Sequence, residues 1–144
     1  MNGWRLMAHP CFVDQLQSFS AKAASALISK PDGKATKDEK IIAAIRRITL
    51  EVVPSAVGAV QHRQGDSLGP QNKHWFRVKF FQQYRLFYRY DSASKIIIYV
   101  WVNDEHSLRA YGSKNDAYAT FRKMLDGGYP PSTFEALLKE AREL

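Results

Sequence analysis

Apolar residues recur along the chain with two periods, and the change of period divides the chain into elements. Residues 3–8 are predicted to form a short strand, because the residue before a proline favours extended geometry and His9-Pro10 follows. A helix is predicted next, because apolar residues then repeat at helical spacing (Phe12, Leu16, Phe19, Ala23 and Leu27). Turn residues at 30–34 end it, and a second helix begins with the capping box of Thr36 and Glu39. Its apolar stripe is Ile41, Ile45, Ile48 and Val52.

The middle of the chain changes to the pattern of β-strands. Residues 54–73 are rich in Gly, Ser, Asn, Gln and Pro and are predicted as a long loop. Strands are predicted at 74–81, 84–90 and 95–103. The run Ile96-Ile97-Ile98 does not alternate with polar residues, which indicates a central strand that is covered on both faces.

Helical spacing returns in the last part of the chain. One predicted helix buries Ala117, Phe121, Met124 and Leu125 and ends at Gly127-Gly128. Another begins after Pro130-Pro131 and buries Phe134, Leu137, Leu138, Ala141 and Leu144. The order of elements predicts a single α+β domain over residues 1–144, with helices packed on one face of a mainly antiparallel sheet.

Composition adds a basic charge to this picture. The 144 residues are 45% hydrophobic, enough for one core, and carry a formal net charge of +7. Residues 73–109 hold seven of the basic residues and three acidic ones. Such a concentration of positive charge favours nucleic acid as the partner, although a modest surplus also serves solubility.

Cysteine usage and hydropathy exclude several classes of protein. Cys11 is the only cysteine, which excludes an intrachain disulfide and a four-cysteine zinc site and indicates a reducing, cytoplasmic location. No apolar run is long enough to cross a membrane, so no membrane partner is expected.

Basic and aromatic residues share one face of the predicted hairpin. Alternation places Arg85, Phe87 and Arg89 together, and it places Arg77 and Lys79 together. An odd turn that pairs Phe81 with Arg85 would unite the two sets, whereas an even turn would separate them. We predict the odd turn, because separation would press cations against the helices. The united face, with Lys73 beside it, would bind RNA; solvated charge on an open sheet face is the alternative.

A polar cluster at residues 103–111 completes a candidate site. RNA cleavage by attack of a 2′-hydroxyl on the adjacent phosphate needs a base, an acid and cations for the phosphorane. Histidine is the residue type whose reference pKa lies near neutrality, which makes His106 a candidate base. Tyr111 can stack on a base or exchange a proton, and Arg85 can hold a phosphate. Arg109 adds a further cation. A lone histidine or tyrosine is more often structural, so these residues alone leave a non-catalytic RNA- or DNA-binding regulator open.

Several stretches resemble the YhaV family of toxins from bacterial toxin–antitoxin operons, within the RelE-like superfamily. They are NGWRLMAHPCF (2–12), GDSLGPQNKHWFRVKF (65–80), YRLFYRYD (84–91), IIYVWVNDEHSLRAYGSKNDAY (97–118) and FRKMLDGGYPP (121–131). The resemblance implies a RelE-like fold and an endoribonuclease that cuts mRNA, on or off the ribosome, and thereby inhibits translation. We expect no metal or other cofactor, because the residues of the candidate site suit RNA cleavage without a metal.

The resemblance also assigns roles to residues and partners. The superfamily's paired basic residues fall on Arg77 and Lys79, its YRL arginine falls on Arg85 and its tyrosine falls on Tyr111. Its late arginine meets Glu105, so His106 or Arg109 is expected to substitute. The implied partners are a PrlF-like antitoxin of the AbrB type, which would cover the RNA-binding cations, and operator DNA, which the toxin–antitoxin complex would bind.

Overall fold

The structure is a computed structural model that describes residues 2–29 and 33–144. The strands within these ranges are β1 (Arg5–Ala8), β2 (Phe76–Phe80), β3 (Tyr84–Asp91), β4 (Ile96–Val102) and β5 (Arg142–Glu143). The α-helices are α1 (Pro10–Ser29), α2 (Lys37–Arg47), α3 (Val53–Ser55), α4 (Ala117–Asp126) and α5 (Phe134–Glu140). A π-helical turn, Ile48–Val52, joins α2 to α3. The predicted α+β class is confirmed.

The strands form one sheet in the order β2-β3-β4-β1-β5. β1 pairs parallel with β4, and every other pairing is antiparallel. The three successive strands that the sequence predicts are adjacent, as expected. β5 was not predicted: the last helix was expected to reach Leu144 but ends at Glu140. The chain then pairs with the free edge of β1, where Leu144 N donates to Leu6 O at 3.0 Å.

The predicted helical hairpin is confirmed in α1 and α2. The capping box of α2 has both of its bonds: Glu39 N donates to Thr36 Oγ1 at 3.2 Å, and Thr36 N donates to Glu39 Oε1 at 3.4 Å. These bonds satisfy amides that the first turn of a helix leaves without partners. Of the predicted turn at 30–34, residues 30–32 lie outside the described ranges.

Helices cover the sheet on both faces, so the prediction of helices on one face only is wrong. The hairpin of α1 and α2 packs on the face that carries Leu86, Tyr88 and Tyr99. The opposite face, with Phe87 and Trp101, is covered by α4 and α5. β4 is buried along its whole length, which confirms it as the central strand. The physical reason for the second layer is the apolar stripe of α4, which needs a surface to bury it.

The predicted loop at 54–73 is held in place by buried polar side chains. Gln64 Nε2 donates to Asn72 O at 2.7 Å, and Asn72 Nδ2 donates to Leu68 O at 2.9 Å. Two short 3-10 turns, Val60–His62 and Pro70–Asn72, interrupt the segment. These bonds fix the segment that supplies one wall of the candidate site.

No helix in the described parts of the chain has the length and apolar character needed to cross a bilayer.

Candidate active site

Three arginines from separate segments converge on the side chain of Tyr118 in α4. Arg77 Nε and Arg85 Nε both donate to the Tyr118 hydroxyl, at 2.8 and 3.1 Å. The guanidinium carbon of Arg109 lies 5.1 Å from the centre of the Tyr118 ring, and that of Arg85 lies 5.8 Å from it. We call these four residues the arginine cluster. Such a concentration of cations suits a bound phosphate.

The register of β2 and β3 produces this convergence. Lys79 pairs with Arg85 and Arg77 pairs with Phe87, so these side chains share a face. The connection is the predicted odd loop, residues 81–83, but it pairs Phe80 with Tyr84 instead of Phe81 with Arg85. The predicted parity is therefore confirmed, and the predicted register is shifted by one residue in each strand.

Backbone carbonyl groups fix the two strand arginines. Arg77 Nη1 donates to Gln61 O at 2.9 Å. Arg85 Nη1 donates to Gln82 O and to Tyr84 O, both at 2.8 Å. These bonds use Nε and Nη1, and within the described ranges Nη2 of neither arginine has a hydrogen-bond partner. Each guanidinium therefore keeps an unused donor edge.

Asp116 links the start of α4 to Arg109. Arg109 Nη1 donates to Asp116 Oδ1 at 2.6 Å, and the other carboxylate oxygen accepts from Tyr118 N at 3.0 Å as the cap of α4. Burial alone would raise the pKa of Asp116, but the bonds from Arg109 and from Ala110 N outweigh it and lower the pKa. The partner of Arg109 is therefore Asp116 at the start of α4, and not one of the two acidic residues within the 103–111 segment.

An open cleft of about 450 Å³ adjoins the arginine cluster. Its polar lining includes Arg109, Tyr111, Lys114, Asp116 and Arg122. The Tyr111 side chain is 95% exposed, and Arg109 lies 5.6 Å from the centre of its ring. An exposed aromatic ring backed by cations is the arrangement that binds single-stranded nucleic acid.

The remaining predicted basic residues lie around this centre. Lys79 is exposed beside Arg85, and Lys73 is exposed and paired with Asp66 at 3.3 Å. Arg89 lies over Trp75, 5.4 Å from the ring centre, and donates to Ser132 O. Burial lowers the pKa of Arg89 to about 10. Contacts with Trp75 and Ser132 thus place Arg89 beneath the segment that precedes α5.

His106 and Phe87 were both predicted to belong to the site, but neither residue lines the cleft. The exposed His106 ring lies 3.7 Å from Glu105, which pairs with Lys22 of α1 at 3.0 Å. Phe87 is fully buried and stacks on Phe121 with the ring centres 4.3 Å apart. A ring without exposed surface cannot stack on a base, so the prediction that Phe87 binds RNA is corrected to a role in the core.

Sequence reasoning missed Tyr118 and Asp116. The capping rule offered a signal for Asp116, since an aspartate stands directly before the apolar pattern of α4. Tyr118 shares a helix face with Phe121 and Leu125 at i, i+3 and i+7, which made it look like a core residue. Only the packing of α4 on β2 and β3 shows that its hydroxyl meets two arginines.

Side chains of His, Cys, Asp and Glu are the usual protein ligands of metal ions. Within residues 2–29 and 33–144, no three of these side chains are placed to hold a metal ion together.

Comparisons with known proteins agree with the resemblance. The YhaV toxin family, described as toxins with endonuclease activity of a toxin–antitoxin system, matches residues 6–142. The chain is 40% identical over 146 aligned residues to the ribonuclease toxin YhaV of Escherichia coli strain K12, covering 99% of this chain and 95% of that protein. The toxin YhaV of Escherichia coli O157:H7 has the same identity and coverage. No solved structure matches, so the RelE-like assignment stays a prediction. The chain belongs to the YhaV family of endonuclease toxins.

Proposed function

We propose that this toxin cleaves mRNA at the arginine cluster by metal-independent acid–base chemistry and thereby inhibits translation. The observation that carries the proposal is the convergence of Arg77 and Arg85 on Tyr118 beside an open cationic cleft. The name of the Escherichia coli relative, a ribonuclease toxin, supports RNA as the substrate.

In the proposed reaction the 2′-oxygen attacks the adjacent phosphorus and gives its proton to a base. The P–O5′ bond breaks, the 5′-oxygen takes a proton, and the products are a 2′,3′-cyclic phosphate and a 5′-hydroxyl end. Arg77 and Arg85 stabilise the doubly negative phosphorane through their unused Nη2 edges, and Lys79 adds positive charge from the neighbouring strand position. Tyr118 is a positioning residue that fixes both guanidinium groups.

Proton transfer is assigned to residues of the 103–111 segment. Tyr111 is proposed to hold the flanking base or to exchange a proton, and Arg109 to bind the phosphate backbone. His106 is proposed as the base, and its exposed side chain would have to turn from Glu105 toward the cleft when RNA binds. Asn103 ties the 103–111 segment to β3: Arg85 N donates to Asn103 Oδ1 at 2.7 Å, and Asn103 Nδ2 donates to Ser107 O at 2.8 Å. Lys73 and Arg89 are proposed to extend RNA binding along the same side.

The family context supports further parts of the proposal. The description of the family names a toxin–antitoxin system, so an antitoxin partner is expected to neutralise this chain. We assign that antitoxin to the PrlF-like AbrB type, and we expect the toxin–antitoxin complex to bind operator DNA in the cytoplasm. The net charge of +7 suits both an acidic antitoxin and nucleic acid.

Cleavage of RNA by the purified toxin in the presence of a chelator tests the chemistry, with and without ribosomes. Replacement Arg85→Ala should abolish new 5′-hydroxyl ends while RNA affinity falls by about tenfold or less, because other cations still bind phosphate. Lys139→Ala, an exposed change in α5, should cleave normally. Cleavage at the wild-type rate by the Arg85 variant, or no cleavage by wild type under any of these conditions, would refute the proposal.

A further inference from the structure

A second concave surface lies between α2 and the β2–β3 hairpin. One cleft of about 620 Å³ is bounded by α2 and β2, and a second of about 410 Å³ by α2 and the start of β3. Lys40 and Phe81 line both clefts, so the two form one groove. α2 has 11 residues and therefore gives a wall about 16 Å long. We call this surface the α2 groove.

The floor of the α2 groove is apolar and its rim is basic. Ala43, Ala44, Ile48, Val52 and Val78 contribute apolar surface, and Phe81 stands 53% exposed between the two clefts. The basic rim is formed by Lys37, Lys40 and Arg47. Lys79 also borders the first cleft, although its side chain shares the opposite face with Arg85. No acidic residue lines either cleft within the described ranges, although Arg47 lies 3.9 Å from the exposed Glu51.

The same groove borders an open edge of the sheet. β2 is the edge strand, and the described chain pairs with its outer side at one bridge, between Arg63 and Phe76. Val78 to Phe80 thus lie beside the groove without a strand partner on that side in the described ranges. An open edge is a template for a segment of another chain.

The α2 groove and the arginine cluster lie on opposite faces of the sheet. Val78 belongs to the core under the hairpin of α1 and α2, whereas Arg77 bonds to Tyr118 of α4 on the other face. Arg77 and Arg85 are only 8% and 7% exposed, so they offer little surface to a protein partner. The exposed surface of Arg77 and Arg85 is therefore too small to be the main docking site of the antitoxin.

We propose that the α2 groove is the docking site for an acidic segment of the antitoxin, whose apolar side chains fill the two clefts and whose carboxylates meet the basic rim. This inference rests on the antitoxin partner in the proposed function and is independent of the proposed cleavage chemistry. The basic rim favours a negatively charged segment of the partner, and the aliphatic floor favours apolar side chains on that segment.

The character of the floor favours a protein over RNA. RNA binds through phosphate contacts and through bases stacked on aromatic rings. The α2 groove has one exposed aromatic ring, and aliphatic groups form most of its walls. The cleft beside Tyr111 on the other face has the features that suit nucleotides.

Titration of the cognate antitoxin against purified toxin variants tests the proposal. Lys40 and Ala43 are exposed positions of α2 that have no part in the proposed chemistry. Replacements Lys40→Glu and Ala43→Glu, separately and together, should weaken antitoxin binding by about tenfold or more, while RNA cleavage by the free toxin stays within about twofold. Lys139→Glu, the same charge change in α5, should bind the antitoxin normally.

Amide hydrogen exchange gives a readout at the edge strand itself. Binding of the antitoxin to wild-type toxin should slow exchange at Val78, Lys79 and Phe80. Thermal unfolding of each variant checks that the fold is retained.

Three results would overturn the proposal: unchanged antitoxin affinity in the folded groove variants, an equal loss in Lys139→Glu, or a loss of RNA binding instead of antitoxin binding. Failure of the wild-type toxin to cleave RNA would refute the proposed chemistry alone, because the antitoxin titration still reports on the groove.

Discussion

At the scale of single residues, the site depends on one phenolic hydroxyl. The Tyr118 oxygen accepts from Arg77 and Arg85, which come from neighbouring strands. Two donors on one oxygen hold both guanidinium planes at fixed orientations, and Asp116 does the same for Arg109. Preorganised cations of this kind stabilise developing charge without reorganising during the reaction.

Replacement Tyr118→Phe removes that shared acceptor and little else. We expect kcat for RNA cleavage to fall about 10- to 100-fold, because misplaced guanidinium groups stabilise the transition state poorly, while RNA affinity changes much less. Single-turnover cleavage and RNA binding, measured on the same preparation, check that kcat falls much more than RNA affinity. Tyr99→Phe is the matched control, since it removes a buried hydroxyl bonded to Thr49 O on the opposite face of the sheet. Equal kcat in Tyr118→Phe and wild type would contradict the positioning role.

At the scale of elements, α4 does two things at once. Its Phe121 ring is fully buried against Phe87 and Trp101, with the Trp101 ring centre 5.5 Å away, and one turn earlier Tyr118 meets the arginines. The packing of Phe121 therefore sets the height of Tyr118 above the sheet. The helix α4 therefore contributes both to the stability of the fold and to the geometry of the site.

Replacement Phe121→Ala should lower the free energy of unfolding by about 3–5 kcal/mol, because it leaves a cavity between α4 and the sheet. Urea denaturation measures the change. Lys123→Ala, exposed on the same helix, should stay within about 0.5 kcal/mol of wild type. A loss below about 1 kcal/mol for Phe121→Ala would show that α4 does not anchor through this ring.

The elements could be predicted from sequence largely where a local pattern specifies them. The capping box of Thr36 and Glu39 and the uniform apolar run of β4 are examples of such patterns. The local sequence left the parity of the β2–β3 turn open, and the odd turn was predicted from where its cations would lie. β5 was missed because Arg142 and Glu143 have no strand pattern and pair only because β1 leaves an edge open. The role of Tyr118 was missed for a similar reason, since its partners are 33 and 41 residues away.

At the scale of the whole molecule, buried titratable groups make stability depend on pH. Burial and the nearby charge of Arg77 lower the pKa of His62, whose Nδ1 lies 2.8 Å from the Tyr88 hydroxyl. His74 is exposed at the surface, but partial desolvation and the charge of Arg89 also lower its pKa. Both histidines therefore favour the neutral form in the folded state.

We expect the free energy of unfolding to be nearly constant between about pH 7.5 and 8 and to fall as the pH drops from about 7 toward 5, because the unfolded chain then binds protons that the folded chain resists. Carboxylates with lowered pKa, such as Asp104 and Asp116, lose their contribution only below about pH 4. His62→Gln should flatten the dependence between pH 7 and 5. Urea denaturation at several pH values measures it, and an unchanged slope in the variant would exclude His62 as a source.

The alternation of side chains along β2 has a consequence for how this toxin tolerates mutation. Arg77 lies on the face of the arginine cluster and its neighbour Val78 lies in the core on the opposite face, so consecutive positions belong to different layers. Loss of a single codon within β2 would reverse the facing of every residue on one side of the gap, exchanging cations for aliphatic groups. Such in-frame deletions would therefore inactivate the toxin more often than point substitutions at the same positions, and detoxified alleles should be enriched for them.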